Sequence, residues 1–462
     1  SYDPTITGTL SYNNLTQPLA NTSIYGVQSL HSNTLLGDVS YSQAFPTGTS
    51  LSVAFNNDRI TTNSIYPYLL PELDSSLQVT LQQQLLAGFG LGPNLRYLRI
   101  ARNNQKISDQ AFELQVITTA TQIANMYWDL VAAYEDEHVK SHSLDFANKT
   151  LADGRKQLQL KAIPEMDVLK DEAEVANREQ DLTIARTTLQ FQELLIKNAL
   201  TKNLDDPILE AMPVRPVHVP MDDVLVTPPA ETEDIVAEAL SHRIELSESS
   251  IDLQNREISR KAANNALLPS LTAIAGYSGA GLAGLANPAA NMASTAPASY
   301  GAAVENAFNN TSPDYYVGLS LSIPLRNRVA KSDQYRSELE ARQAELRLQQ
   351  LKKQIRIEVR NAQYALEQSE ARVIAAEKAR DLAQKTFDIT VKEQQMGAGS
   401  ACQTLESRRD LAAAESALLA ARTAYEKARI ELDRSVGRTL ETNSISIESA
   451  RTGVQSAALT TP

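Results

Sequence analysis

Residues 168–196, VLKDEAEVANREQDLTIARTTLQFQELLI, carry an apolar side chain at every seventh position. These positions are Val168, Val175, Leu182, Leu189 and Ile196. A strict seven-residue apolar repeat indicates a helix that supercoils left-handedly around a neighbouring helix. Since no proline or glycine interrupts the stretch, we expect one long helix that pairs as a coiled coil.

The same pattern recurs 236 residues further along the chain. Its apolar positions are Leu411, Leu418, Tyr425 and Leu432, which align with the last four positions of the first repeat. The offset also aligns Trp128 with Tyr364, far outside the heptads. Repeats of this length indicate a duplicated structural unit, here a pair of long helices.

Segments of alternating apolar and polar residues are duplicated as well. Residues 77–85 align with 317–325 at a shift of 240, and residues 4–12 align with 269–277 at a shift of 265. Each half therefore reads strand, strand, very long helix, long helix. The alternation predicts a sheet with one apolar and one polar face. The polar face is small and uncharged, being mainly Thr, Ser and Gln.

The loops between the strands differ in the two halves. The first half holds an additional alternating pair, 39–44 and 50–55, which we expect to be a hairpin inserted in the loop. The second half holds an Ala-, Gly- and Asn-rich run, 279–310, which we expect to be a mobile, exposed loop. This interpretation gives four strands per chain.

Composition excludes several classes of protein. The formal net charge of −12 over 462 residues argues against a nucleic-acid partner. Cys402 is the single cysteine, so there is no disulfide framework, and we expect it to be a small buried residue. His138 and His142 lie one helical turn apart but lack a third ligand. We therefore expect no metal site, no cofactor and no catalytic residues.

The pattern divides the chain into seven segments. They are strands with a long loop and the extra hairpin at 1–93, a helical hairpin at 94–201, a Pro-rich connector at 202–234, a connecting helix at 235–268, strands with the Ala/Gly/Asn-rich loop at 269–326, a second helical hairpin at 327–438 and an irregular tail at 439–462. The connecting helix has no counterpart before the first strand, so we expect the sequence to begin inside the fold.

The strands allow two interpretations. Runs of about ten residues are long enough to cross a membrane at a tilt. Four strands cannot close a barrel, because the smallest has about eight, and open sheet edges are not tolerated in lipid. A membrane location therefore requires oligomerisation. The alternation by itself is also typical of a soluble sheet that packs on a core.

The ordered set of these features resembles the TolC-like outer-membrane efflux proteins. The resemblance covers essentially the whole chain and is carried by ALSHRIEL at 239–246, PSL at 269–271, LQQQLLAGFG at 81–90 and LSIPL at 321–325. It implies a mixed α/β membrane protein and a homotrimer. The three chains would form a twelve-stranded outer-membrane β-barrel, with four strands per chain, continuous with a long α-helical coiled-coil barrel in the periplasm.

The resemblance also implies a function and a gate. The function is that of a passive duct for efflux or secretion of small molecules or proteins, closed by acidic residues just past the two helical tips. Asp167 matches the position after the first tip, and Gln403 and Glu406 match those after the second. A threefold ring of Glu406 would attract cations. From the residues alone, Asp167 is equally explained as a helix N-terminal charge and Glu406 as a solvated heptad position.

The tips themselves are expected to dock partners. In the resemblance they correspond to Lys161, Ala162 and Ile163 in one half and to Gly397, Ala398 and Gly399 in the other, altered from the family's Val-Gly-Leu type. The implied partners are a periplasmic adaptor and an inner-membrane pump at the tips, and outer-membrane lipid around the barrel. The alternative is a soluble coiled-coil structural or adaptor protein with a small β-domain and no fixed trimer.

Overall fold

The computed structural model describes residues 2–201, 212–217, 232–290 and 294–453. The chain forms two compact units, one of residues 1–105 with 251–345 and the other of residues 106–250 with 346–462. Most of the Pro-rich connector and the end of the tail lie outside the described residues.

The first unit is built on one six-stranded antiparallel sheet whose strands lie side by side in chain order. The strands are β1 Thr5–Pro18, β2 Ser29–Ala44, β3 Thr49–Thr62, β4 Leu69–Gln84, β5 Ser270–Ala286 and β6 Pro313–Ser322. The tight turn at 45–48 lies at the end of the sheet from which the chain enters the long helices. The longer connections, 19–28, 63–68 and 287–312, lie at the opposite end.

The expectation of four strands per chain is wrong, because the additional hairpin belongs to the sheet. Tyr41 of β2 pairs with Ile6 of β1, and Val53 of β3 pairs with Val79 of β4. The hairpin alternates in the same phase as its neighbours, so it extends both faces of the sheet without a change of register.

The sheet has one apolar and one polar face, as the alternation predicts. A row on the apolar face crosses all six strands through Ile6, Tyr41, Val53, Val79, Tyr277 and Tyr315. The adjacent row on the polar face runs through Thr5, Ser42, Ser52, Thr80, Gly276 and Tyr316.

The long helices expected from the heptads are present. In chain order the helices are α1 Leu91–Asn94, α2 Arg96–Gln159, α3 Glu165–Leu200, α4 Thr232–His242, α5 Ile244–Asn265, α6 Tyr300–Phe308, α7 Arg328–Gln395, α8 Ala401–Val436, α9 Thr439–Thr442 and α10 Ile447–Thr452. The two longest, α2 and α7, have 64 and 68 residues. Heptad positions Val168 and Val175 of α3 pack against Ala147 and Leu151 of α2, which confirms the predicted pairing.

Two predicted segments prove more structured than expected. The loop at 279–310 contains the end of β5 and the helix α6, which Ser299 caps by accepting a hydrogen bond from the Ala302 N–H. Ala303 and Ala307 of α6 are fully buried, because their small side chains let the helix approach the sheet closely. In the tail, α9 and α10 replace part of the irregular chain expected after residue 438.

The connecting helix expected at 235–268 is two helices, α4 and α5, that meet at Arg243. The guanidinium of Arg243 donates hydrogen bonds to Glu245 of α5, Glu358 of α7 and the Ser435 carbonyl of α8, and these contacts hold the break in place. Buried residues on both sides of Arg243 belong to one hydrophobic cluster of the second unit, formed by Ile235, Val236, Ala239, Leu246, Ile355, Val359 and Val436.

Candidate functional site

The first helical tip is closed by a hydrogen-bonded turn at the end of α2. Lys161 has a positive φ of 57°, its N–H donates to the Leu158 carbonyl at 2.8 Å, and the Ala162 N–H donates to the Gln157 carbonyl at 2.8 Å. This pair of bonds is a Schellman motif, which usually places glycine at the left-handed position. A lysine there costs about 1–2 kcal/mol, because its Cβ crowds the following carbonyl.

The second tip has the same motif at the positions shifted by 236. Gly397 has a φ of 77°, its N–H donates to the Gln394 carbonyl at 3.0 Å, and the Ala398 N–H donates to the Glu393 carbonyl at 2.9 Å. Glycine occupies the left-handed position here without steric cost. The two tips therefore share one backbone geometry in spite of their different sequences.

The tips differ in what anchors them. Ile163 is half-buried and packs against the cluster of Ala147, Leu151, Val168 and Val175 that joins α2 to α3. Its counterpart, Gly399, offers no side chain and donates its N–H to the Glu393 carbonyl at 3.1 Å. The exposed residues at the tips are thus Lys161 and Ala162 in the first hairpin and Gly397 and Ala398 in the second.

Asp167 lies in the first turn of α3, where a negative charge is favoured by the helix dipole. Its backbone N–H donates to the Pro164 carbonyl at 3.1 Å, and its carboxylate forms an ion pair with Lys170 at 3.2 Å. These contacts are compatible with a helix N-terminal charge. They leave the carboxylate about half exposed.

Gln403 has a structural task in the first turn of α8. The Ser400 hydroxyl accepts a hydrogen bond from the Gln403 N–H, and the Gln403 side-chain oxygen accepts one from the Ser400 N–H, both at 3.3 Å. The two bonds form a capping box. An amide oxygen supplies this reciprocal bond as well as a carboxylate does, which gives a local reason for Gln at this position.

Glu406 is exposed one turn further along α8. Its carboxylate lies 3.9 Å from the sulfur of Cys402. Cys402 is exposed, so the expectation of a buried cysteine is wrong. The reason is its place in the first turn of α8, where the nearest buried positions along the helix are Thr404 and Ser407. Asp167, Gln403 and Glu406 make their contacts within their own helix turns, and their role in a gate stays a prediction.

Sequence reasoning missed a buried carboxylate at the first tip. Asp171 is only 7% exposed, and a Cβ atom on Gly154 of α2 would lie 2.8 Å from its Oδ2 atom. Burial, and then the charge of Asp167, raise the pKa of Asp171, while Lys170 lowers it in part. The signal was present in the sequence, because Gly154 is the one glycine within the long helix α2.

Arg243 forms a second charged cluster, away from the tips. Its guanidinium donates two parallel hydrogen bonds to Glu245, at 2.7 and 2.9 Å, one to Glu358 at 3.2 Å and one to the Ser435 carbonyl at 3.1 Å. Burial acts to raise the pKa of Glu245, but the hydrogen bonds from Arg243 outweigh it, and the pKa is lowered. The cluster ties the junction of α4 and α5 to α7 and α8.

The described residues include neither a candidate metal site nor a helix that could span a membrane. They contain no group of three or more His, Cys, Asp or Glu residues placed to hold a metal ion. Their helices all fall short of the length and apolarity needed to cross a bilayer.

Comparison with known proteins gives one family-model match, over part of the chain, and several similar folds. The family model described as outer membrane efflux protein matches residues 235–438, which include the Arg243 cluster, β5, β6 and the second helical hairpin. No curated protein matches the chain.

Three solved structures have similar folds. The Campylobacter jejuni CmeC outer membrane channel is 15% identical with a TM-score of 0.64, over 98% of this chain and 81% of its own. CusC is 15% identical with a TM-score of 0.62, over 94% and 83%. The outer membrane protein VceC from Vibrio cholerae is 14% identical with a TM-score of 0.61, over 94% and 87%. At these identities the likeness establishes the fold, and the mixed α/β fold class predicted from the sequence is confirmed.

Proposed function

We propose that the chain is a passive trimeric exit duct, because residues 235–438 match the family model described as outer membrane efflux protein. It is a TolC-like channel of the outer membrane with a large periplasmic portion. Small molecules or proteins would enter at the periplasmic helical tips and leave through the barrel to the exterior.

The two-faced sheet is the observation that carries this proposal. On the apolar face, Val317 is 86% exposed, Leu319 72% and Ile6 76%. A soluble protein rarely leaves such a surface uncovered, whereas lipid covers it in a membrane. This exposure argues against the soluble coiled-coil alternative.

The edges of the sheet support an assembly of several copies. A sheet with two open edges leaves backbone groups without hydrogen-bond partners, and lipid does not tolerate them. Six strands are also fewer than the roughly eight of the smallest membrane barrels. Further copies of the chain would supply the missing partners, and the family resemblance favours three.

The polar face of the sheet suits a water-filled passage for cations. Asp58 of β3 and Asp74 of β4 lie directly opposite each other on this face. Arg59, the one Lys or Arg residue in the six strands, lies on the other face. Carboxylates without neighbouring cations attract positive ions, as in the charged rings of other cation channels.

We place the gate at the helical tips. Asp167 and Glu406 are exposed enough to meet their threefold copies, and a ring of Glu406 would favour cations at the entrance. Gln403 would act on the gate indirectly, by fixing the start of α8. The family assignment supports a conduit that is not an enzyme.

The exposed tips would dock a periplasmic adaptor and, through it, an inner-membrane pump. Lys161, Ala162, Gly397 and Ala398 present two backbone turns of the same geometry to such a partner. The pump would supply the energy for transport, since the duct itself is passive.

Membrane fractionation together with the native mass in detergent tests this proposal. We expect the full-length protein in the outer-membrane fraction, extracted only by detergent and with the mass of a trimer. A monomer or dimer that stays in solution without detergent would overturn the proposal and favour the soluble coiled-coil alternative.

A further inference from the structure

The hairpin of β2 and β3 enlarges the sheet beyond the four strands expected from the family resemblance. We propose that this hairpin is part of the membrane wall, so that three chains of six strands close an eighteen-stranded barrel through pairing of β6 of one copy with β1 of the next. This inference rests on the proposed trimeric duct and concerns how its wall is built.

Both faces of the sheet continue through the hairpin. Val39, Tyr41, Val53 and Phe55 extend the apolar face of β1 and β4, whereas Ser40, Ser42, Ser52 and Ala54 extend the polar face. A loop in water has no reason to keep this two-residue period in phase with both neighbours. The phase fits a hairpin with lipid on one side and water on the other.

The turn of the hairpin is tied to the end of the wall where the helices begin. The Gly48 carbonyl accepts a hydrogen bond from the Gln84 N–H at 3.0 Å, and the Thr47 carbonyl accepts one from the Gly90 N–H at 3.1 Å. Outer-membrane barrels have short turns on the periplasmic side and longer loops outside. The turn at 45–48 and the long connection at 287–312 follow that arrangement.

The two outer strands have the features of edges that receive a partner. From Thr5 to Gln17, β1 has no charge and no proline, and β6 has a single charge, Asp314. Free edges in soluble proteins are usually blocked by lysine, proline or bulges, and neither lysine nor proline occurs from Thr5 to Gln17 of β1 or from Asp314 to Ser322 of β6. Because the number of strands is even, β6 of one copy runs antiparallel to β1 of the next.

The faces also restrict the register of this contact. Apolar-face residues have even numbers in β1, such as Ile6 and Leu10, and odd numbers in β6, such as Val317 and Leu319. Opposed residues must therefore have numbers with an odd sum. A slip by one residue would turn the threonines of β1 toward lipid next to the leucines of β6.

An eighteen-stranded wall encloses a wider passage than a twelve-stranded one. Barrel diameter grows roughly in proportion to the strand number, so the diameter would be about 1.5 times larger and the cross-section about twice as large. At 16–18 strands a barrel encloses an aqueous channel. The hairpin would thus widen the exit of the duct.

Cysteine labelling along the hairpin tests the inference in the full-length trimer. The background is C402S, with single cysteines in β2 and β3 at Tyr41, Ser42, Ser52 and Val53, and matched controls in β4 at Gln78 and Val79. We expect a water-soluble maleimide to label the polar-face positions at least tenfold faster, with the same alternation in the hairpin as in the controls. Alternation in β4 but uniform labelling in β2 and β3 would overturn the inference and leave the duct intact. Uniform labelling in β4 as well would contradict the proposed duct itself.

Disulfide crosslinking tests the closing contact. With cysteines at Thr7 and Ser320, whose numbers have an odd sum, we expect oxidation to link neighbouring chains into covalent dimers and trimers. If the register lies two residues away, Thr7 with Gly318 gives that product instead. The control pair Thr7 and Leu319, on opposite faces, should give none. A crosslink between Thr7 and Gln78 within one chain would show β1 paired directly with β4, which means a twelve-stranded wall and overturns the inference.

Discussion

Gly154 and Asp171 are in contact across the first helical hairpin, and their repeat equivalents, Thr390 and Ser407, are in contact across the second. A Cβ on Gly154 would lie 2.8 Å from the Asp171 carboxylate, whereas the hydroxyls of Thr390 and Ser407 share a hydrogen bond of 2.6 Å. Equivalent positions of the two hairpins are thus packed differently. The first hairpin places a glycine against a carboxylate, and the second joins two hydroxyl groups by a hydrogen bond.

Replacing Gly154 by alanine should destabilise the first hairpin. Alanine usually stabilises a helix interior by up to about 1 kcal/mol relative to glycine. Here the methyl group meets the Asp171 carboxylate, and overpacking of this kind costs about 1–3 kcal/mol. Chemical denaturation of the detergent-solubilised protein measures the change. The exposed K156A variant, on the same helix, serves as the control, and a stabilised G154A would contradict the packing described.

The stability of the first tip should depend on pH through Asp171. Because folding raises the pKa of this carboxyl, the folded tip holds its proton more tightly than the unfolded chain does. The stabilising contribution is complete below the usual aspartate pKa of about 4 and is lost as the pH rises through the raised value. Hydrogen exchange of residues 147–175 between about pH 4 and pH 8 should show increasing opening.

The D171N variant should remove most of this pH dependence and protect the tip at neutral pH. D167N is the matched control, since Asp167 is half exposed and has its own ion pair with Lys170. Equal exchange profiles for D171N and the unmodified protein would rule out Asp171 as the titrating group.

Two substitutions at the left-handed positions of the tips should change stability in opposite directions. K161G should stabilise the first tip by about 1 kcal/mol, because glycine adopts the positive φ without strain. G397A should destabilise the second by a similar amount. Thermal unfolding provides the measurement, and A162G, one residue beyond the left-handed position, is the control. A K161G variant less stable than the unmodified protein would show that the lysine side chain contributes more than its backbone strain costs.

The Arg243 cluster should matter more for stability than exposed ion pairs. R243A leaves Glu245 partly buried without its guanidinium, and the loss of one partner of a buried pair costs about 3–5 kcal/mol. R256A, which removes a more exposed pair with Glu340, should cost less than about 1 kcal/mol. Comparable unfolding midpoints for the two variants would contradict the structural role of Arg243.

In the predicted gate, Glu406 and Gln403 have different roles, so their substitution should have different effects. E406Q should lower the preference for cations and the block by multivalent cations in single-channel recordings, because it removes three charges from the entrance of a trimer. Q403A should instead cost about 1 kcal/mol of stability through the lost capping box and leave selectivity unchanged. The D74N variant, in the same recordings, tests separately whether the carboxylate of Asp74 on the polar face of the sheet contributes to the preference for cations. Unchanged selectivity in E406Q would remove Glu406 from the gate.

The heptads and the alternating strands were sufficient to predict most of the elements, because each pattern reflects burial along one face. They could not predict that β2 and β3 join the sheet. Local alternation is the same for an inserted hairpin and for a strand of the wall, and only the pairing of Tyr41 with Ile6 and of Val53 with Val79 distinguishes them.

The candidate site was predicted less completely. The spacing of the repeat located both tips and aligned Lys161 with Gly397, but not their shared turn, which depends on backbone angles. Asp171 was missed because its burial depends on Gly154 in another helix, 17 residues earlier in the chain. The break at Arg243 was missed because ALSHRIEL is compatible with one continuous helix, and the partners of the arginine, Glu358 and Ser435, lie far along the sequence.

The most direct test of the proposed duct is conductance in planar lipid bilayers, recorded on detergent-purified protein whose mass is determined in the same preparation. We expect a trimer that produces discrete, cation-selective conductance steps. A preparation without trimers would contradict the proposed duct. So would a trimer that inserts into the bilayer and conducts no ions at any applied voltage, either unmodified or as the E406Q variant.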